Sequence, residues 1–366
     1  MVRILMDNTV WSTVMALMAG LVSCTLHEKK PSFHRKEIKQ KVLEIAEGKK
    51  LPSLTLTISQ QGSVWSMKYN NEDVEKQKIY GIGSTTKLLS AVLVLKLAEQ
   101  EKVSLEDKLV KHVGNLGHIE NIENTTVRNI LSHTSGLQDF TKHPSWIQMV
   151  ITNNTPKTFE QKMSLVDGKR NTSGVFAYSN TNYLVLEKVV ESISGKSYTR
   201  AFNEFYGDQG FGEIRLGRPE TKIQSFFAET LDAISEVSDW REHYGYAGGV
   251  YTTSEALHRF SEALFIDGAI LNQESMDQLK KWVPMSPDTI PIGTEGKIAE
   301  YGNGLMKLTY NGEEYVGHMG GTLKYQSLLF VNEKEKTSMS IITNCSGRYY
   351  NNVFFQELVP AILTEL

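Results

Sequence analysis

The chain has 366 residues, a formal net charge of -3, 40% hydrophobic residues and 22% charged residues. That length can bury one large core or two modest ones, and the composition is that of an ordinary globular protein. The small net charge and the lack of any long Lys/Arg run give no pull toward nucleic acid, so no nucleic-acid partner is expected.

The first stretch reads as an address. Arg3 precedes an apolar run at 10–22, which has the length of a signal-peptide core and is too short for a comfortable membrane span. The run closes at Leu21-Val22-Ser23-Cys24. This resembles a bacterial lipoprotein signal, whose cysteine is lipidated and becomes the new N-terminus. A plain secretion signal containing a cysteine is the simpler alternative. The expectation is a signal peptide at 1–23, a lipid-anchored tether at 24–32 and one domain at 33–366. The protein would then be a periplasmic or cell-surface lipoprotein held to the membrane through Cys24. The other cysteine, Cys345, ends an apolar run and reads as a buried structural thiol.

Helical spacing at 33–48 ends at Gly48. Two runs of period two, 54–58 and 64–69, flank Gln61-Gly62 and predict a hairpin. A third strand is predicted at 78–82, followed by a helix from Ser84 to about Glu101 that is apolar nearly all round and therefore buried. From about 104 to 265 the chain reads as a mostly helical insert. Ser104 to Asp107 looks like a capping box opening a short helix. A helix at 126–131 is closed by Ser132-His133-Thr134-Ser135-Gly136-Leu137, a turn held by side-chain hydrogen bonds in which His133 is not a base. Another helix at 183–192 stops at Gly195, and 205–245 has no readable period. Gly248-Gly249 precedes a helix capped at Thr253. Strands return at 304–310, 314–317, 326–331 and 338–343, with a hairpin at Asn311-Gly312, and a helix at 352–363 closes the chain. The predicted fold is α/β of the α+β type: one antiparallel sheet made from both chain ends, flanked by helices, with the helical region inserted.

Ser84 and Lys87 lie three residues apart at the start of the buried helix, so they share a face. A helix N-terminus offers unpaired N–H groups and partial positive charge to a developing oxyanion. A desolvated lysine beside a serine can lose its proton easily enough to act as a base. Ser-x-x-Lys alone is a weak signal, and Ser84 read alone is simply a helix cap. Two further marks follow in order, Tyr178-Ser179-Asn180 and His318-Met319-Gly320-Gly321. A Gly-x-Ser-x-Gly elbow, a His-Glu-x-x-His pair, Cys-x-x-Cys and a phosphate loop are all absent, so neither a cofactor nor a metal is expected.

Taken in that order, the three motifs resemble those of the serine β-lactamase and penicillin-binding protein superfamily. The nearest branch holds class C β-lactamases, D-alanyl-D-alanine carboxypeptidases and related esterases. The stretches 131–137, 247–253 and 301–304 add to the likeness, which covers roughly residues 50 to 350. The resemblance implies an envelope serine hydrolase working on a peptide, ester or lactam acyl group through an acyl-enzyme. It makes Ser84 the nucleophile and shares proton transfer between Lys87 and Tyr178, with Tyr178 the favoured base. Asn180 would bind the Lys87 ammonium and the substrate amide. His318, Gly320 and Gly321 would line the cleft, with the N–H groups of Gly321 and Ser84 forming an oxyanion hole. Met319 stands where the family usually has threonine, removing a donor to a substrate carboxylate, a loss of about 1.5–3 kcal/mol. His318 would keep a possible positive charge there. The alternative reading is a non-catalytic peptidoglycan- or ligand-binding module on the same fold.

Overall fold

The structure is a computed structural model that describes residues 33–72, 79–114, 116, 119–120, 122–169, 171–220 and 223–366. The expected signal peptide, the tether and Cys24 lie outside these residues.

Helix α1, Arg35–Gly48, buries Ile38, Val42 and Ala46, one residue per turn on a single face. Strands β1, Ser53–Gln60, and β2, Ser63–Asn70, form the predicted hairpin. Its turn places Gln61 and Gly62 at φ 50° and 84°, the conformation that matches strand twist. Central helix α2, Thr86–Glu99, is buried from Thr86 through Leu95. Helix α3, Asn180–Ser194, ends where Gly195 turns left-handed at φ 65°.

The last third of the chain supplies β3, Gly296–Tyr301; β4, Met306–Tyr310; β5, Glu313–Gly321; β6, Gln326–Asn332; and β7, Thr337–Thr343. With β1 and β2 they form a nine-stranded antiparallel sheet, ordered β2-β1-β7-β6-β5-β4-β3, with short strands Val283–Pro284 and Ile290–Ile292 pairing on β3. β1 joins β7 from Leu54 opposite Thr343 to Gln60 opposite Thr337, so the two chain ends close the sheet as expected.

Alternate side chains of β6 go to opposite faces: Leu329 and Val331 to one core, Leu328 and Phe330 to the other. The first core holds α2, α3 and the inserted region; the second holds α1 and the closing helical segments of Arg348–Asn352, Val353–Leu358 and Val359–Leu363. Cys345 lies in the second core, where burial pushes its thiol up to about 12.

Several expectations change. The predicted strand at 78–82 reduces to Tyr80–Gly81, which pairs with Val250–Thr252 in a separate small sheet. A Cβ on Gly81 would lie 2.6 Å from the Tyr325 ring, so side-chain packing shapes this segment. Ser104 to Asp107 closes a turn, with Ser104 N–H donating to Asp107 Oδ2 at 3.1 Å, and no helix begins until Val110–Val113. The unreadable 205–245 region holds the end of a helix, Tyr198–Asp208, and the short strands Arg215–Leu216, Phe226–Ala228 and Ile234–Glu236. Runs of two or three residues are too short to show a period. Among the described residues, no helix is long and apolar enough to cross a membrane.

Candidate active site

Ser84 sits in a tight turn, Gly83–Thr85, that leads directly into α2. Gly83 has φ 49°, and a Cβ there would meet Gly321 backbone atoms at 2.8 to 2.9 Å. Only glycine lets this turn press against the end of β5. The turn is also pinned to the sheet: Thr85 Oγ1 lies 2.7 Å from Ser327 Oγ, and Ser327 Oγ donates to Ile82 O at 2.6 Å.

Lys87 is fully buried, at 0% exposure. Its Nζ donates to Ser84 Oγ at 3.0 Å, to Asn180 Oδ1 at 2.8 Å and to Ala247 O at 2.7 Å. Burial lowers the amine to about 7, against a smaller opposing pull from Asp139. A substantial fraction is therefore the free base at neutral pH, already in contact with the serine oxygen.

The Tyr178 hydroxyl faces the Ser84 side chain, which favours its ionised form. Burial drives this phenol upward, and the bond to Ser84 only partly offsets that. Part of the residue still meets solvent, but the hydroxyl is enclosed. Burial thus favours the free amine of Lys87 and the protonated phenol of Tyr178. The Tyr178 ring stacks on His133, with centroids 4.2 Å apart, and lies 4.9 Å from Lys87 Nζ.

Asn180 holds the Lys87 amine through Oδ1, as expected. Its Nδ2 donates to Asp139 Oδ2 at 3.0 Å and to Thr141 Oγ1 at 3.1 Å. A side-chain amide has two N–H donors and both are taken, so Oδ1, already facing Lys87, is the atom left to meet a substrate amide N–H. Asp139 in turn caps its own turn by accepting from Thr141 N–H at 2.9 Å. Asp139 and Thr141 escaped sequence reasoning, although Asp139 stands two residues after the 132–137 stretch.

His133 is buried, as the turn reading expected. Its Nδ1 accepts from Ser179 N–H at 3.1 Å and faces Asn182 Nδ2 at 2.9 Å. Burial and the nearby Lys87 keep the ring neutral.

His318 does not bring positive charge to the cleft. It is buried at 0% exposure, with Nε2 3.0 Å from the Tyr301 hydroxyl. Burial, reinforced by Lys87, lowers it to about 3, so it is neutral at any physiological pH. Gly320 does not face the cleft either. A Cβ there would meet Ile82 O at 2.0 Å and Thr85 N at 2.8 Å, so its role is to let β5 approach the serine turn. Gly321 is exposed at the strand end and shares a cavity of about 300 Å³ with Ser84 and Asn180. Trp146, Ile147, Tyr244, Gly248, Thr322 and Leu323 are among its other walls. Tyr244 brings the unreadable region to the site. Among the described residues no cluster of His, Cys, Asp and Glu could hold a metal.

The Beta-lactamase family matches residues 38–353, and the chain belongs to that family. It is 25% identical over 269 residues to PbpX of Bacillus subtilis (strain 168), named there as a penicillin-binding protein, covering 72% of this chain and 64% of that one. It is 24% identical over 326 residues to Protein flp of Staphylococcus aureus (strain MW2), covering 82% of this chain and 61% of that one. The chain thus spans a little under two thirds of these relatives' length. Among solved structures, a D-amino acid amidase from Ochrobactrum anthropi SV3 gives a TM-score of 0.78 at 20% identity, covering 90% of this chain and 97% of that one. A D-stereospecific amidohydrolase from Streptomyces sp. gives 0.74 at 22% identity, covering 88% and 98%. These two likenesses are of fold.

Proposed function

We propose that this protein is a serine hydrolase that takes an acyl group onto Ser84 and passes it to water. The observation that carries this is the buried Lys87 amine, 3.0 Å from Ser84 Oγ and lowered to about 7. Neutral Lys87 accepts the Ser84 proton as Oγ bonds to the substrate carbonyl carbon. The N–H groups of Ser84 and Gly321 face the oxyanion that forms. The bond to the leaving nitrogen or oxygen then breaks, and the proton that Lys87 took from Ser84 passes to the leaving atom by way of the Tyr178 hydroxyl. Water repeats the sequence in reverse and frees the acid. Two fold neighbours named as a D-stereospecific amidohydrolase and a D-amino acid amidase support amides of D-residues as the first substrates to try, beside esters and lactams.

The test uses a fluorophosphonate, a fluorescent penicillin, 4-nitrophenyl butyrate and D-phenylalaninamide. Labelling or turnover that disappears in Ser84→Ala, with the adduct mass on Ser84, is the expected result. No labelling and no turnover in the wild type would sink the reading.

Met319 favours the second reading, a ligand-binding module without turnover, because the third motif lacks a hydroxyl. That reading expects ligand binding without any product burst. The envelope location extends the proposal: a signal peptide at 1–23 and a lipid anchor on Cys24 before the domain at 33–366. Radiolabelled palmitate should enter the wild type and not Cys24→Ser.

A further inference from the structure

A second cavity, about 270 Å³, opens beside the serine cavity and shares Tyr244, Gly248 and Thr322 with it as common wall. Five cationic side chains line it: Lys157, Lys162, Arg218, Arg241 and Lys324. The carboxylate in that lining is Glu242. This concentration of positive charge stands out in a chain of net charge -3.

The cavity is built rather than incidental. Lys324 is 2% exposed, and its Nζ donates to Ser238 O at 2.8 Å and Trp240 O at 3.3 Å. Lys162 is also 2% exposed. Arg218 donates one N–H to Ser238 O at 3.2 Å, leaving other donors of its fork available. Arg241 is exposed at the rim. Glu242 Oε1 is engaged, accepting from Leu323 N–H at 2.8 Å and from the Tyr244 hydroxyl at 3.2 Å. Burial lowers Lys162 and raises Glu187, which acts on it by charge, to about 7. His243, in the same wall, is lowered first by burial and then by Lys162, Lys157, Arg241 and Arg218.

Position relative to Ser84 says which part of a substrate would enter. The proton for the leaving group comes from Tyr178, which lines a different cavity with Asp139 and Lys142. The second cavity lies past Tyr244 and Gly248, and Tyr178 is not among its walls. We infer that this cavity is an anion-binding subsite for the acyl half of the substrate, taking a carboxylate or similar anionic group carried on the acyl chain. It restores at a different wall the anion recognition that Met319 removes from the third motif. The inference rests on the Ser84 hydrolase reading for its substrate, and on the cavity for its charge preference.

The probes are N-succinyl-D-phenylalaninamide and its uncharged partner, N-acetyl-D-phenylalaninamide. Calorimetric binding to Ser84→Ala separates the subsite from turnover. The expected result is about tenfold tighter binding of the succinyl compound, since hydrogen bonds to a charged group are worth at least that much. That preference should shrink in about 0.5 M salt and shrink further when Arg218→Gln and Arg241→Gln are added. Should the combined variant fail to fold by circular dichroism, Arg241→Gln alone must reduce the preference. Equal affinity for the two compounds, or a preference unchanged by loss of the arginines, overturns the subsite. If the succinyl preference holds while the wild type turns over neither amides nor esters, the subsite stands and the hydrolase reading falls.

Discussion

Asp139 Oδ2 accepts from Asn180 Nδ2 at 3.0 Å, and this contact orients the amide so that Asn180 Oδ1 faces Lys87 Nζ at 2.8 Å. A carboxylate can only accept, so it draws the NH₂ end of Asn180 toward itself. The amine beside Ser84 is therefore placed by a residue that never touches it.

Two substitutions separate the roles of Asp139. Asp139→Ala removes the acceptor, lets the Asn180 amide turn and should lower kcat/KM by about tenfold to a hundredfold, the usual cost of small misplacement. Asp139→Asn keeps an acceptor oxygen but removes the charge that raises Lys87. Its activity should fall less, and the acidic limb of its pH–rate profile should move to lower pH. A limb that stays in place in Asp139→Asn counts against electrostatic coupling of the two residues.

Activity should rise with pH around a midpoint near 7 as Lys87 loses its proton. The same shift has a consequence for stability. Unfolded, the amine returns to its ordinary value of 10.5. Between about 7 and 10.5 the unfolded chain holds a proton that the folded chain has lost, so this group makes stability rise with pH across that window. Below it, the full penalty of burying the cation applies. Urea midpoints of wild type and Lys87→Met, compared from pH 7 to 10, should show the wild type gaining relative to the variant.

Gly83→Ala tests the contact between the serine turn and β5. The added methyl meets the Gly321 backbone below 3.0 Å and carries an unfavourable φ of 49°. Displacing Gly321 N–H from the oxyanion position should reduce kcat by about a hundredfold, the usual effect of losing one such donor. Stability should fall by about 1–3 kcal/mol, read from denaturant unfolding. Wild-type kcat in this variant would contradict the assignment of Gly321 as an oxyanion donor.

His318 should show no titration between pH 5 and 9. Its buried ring, lowered to about 3, stays neutral throughout that range. Imidazole carbon–proton NMR signals, assigned with His318→Asn, provide the measurement. A midpoint near 6.5 would restore the charged histidine at the cleft.

Much of the architecture was legible because local chemistry and tertiary packing agreed. The hairpin at Gln61-Gly62 and the left-handed stop at Gly195 are demands of backbone conformation that few residues meet. The all-round apolar run after Ser84 could only be buried, and α2 is. The 205–245 region resisted because its strands are two or three residues long and its register is set by partners far along the chain, as with Cys345 beside Phe226. β3 was missed because a bulge between Ile298 and Glu300 breaks the alternation.

The site divides in the same way. Ser84 stands in the turn that leads into α2 and Lys87 in the first turn of that helix, three residues on, so the spacing in the sequence already placed the serine beside the amine. Tyr178 and Asn180 could be named from their motif, but the direction of their hydrogen bonds could not. Only the tertiary structure decided that Asp139 occupies the Asn180 amide, that burial favours a free Lys87 amine beside a protonated Tyr178, and that His318 is a neutral core residue. The reason is common to all three. Burial and the partners brought by distant segments determine which groups keep their protons and which donors remain free, and neither is a property of neighbours in the chain.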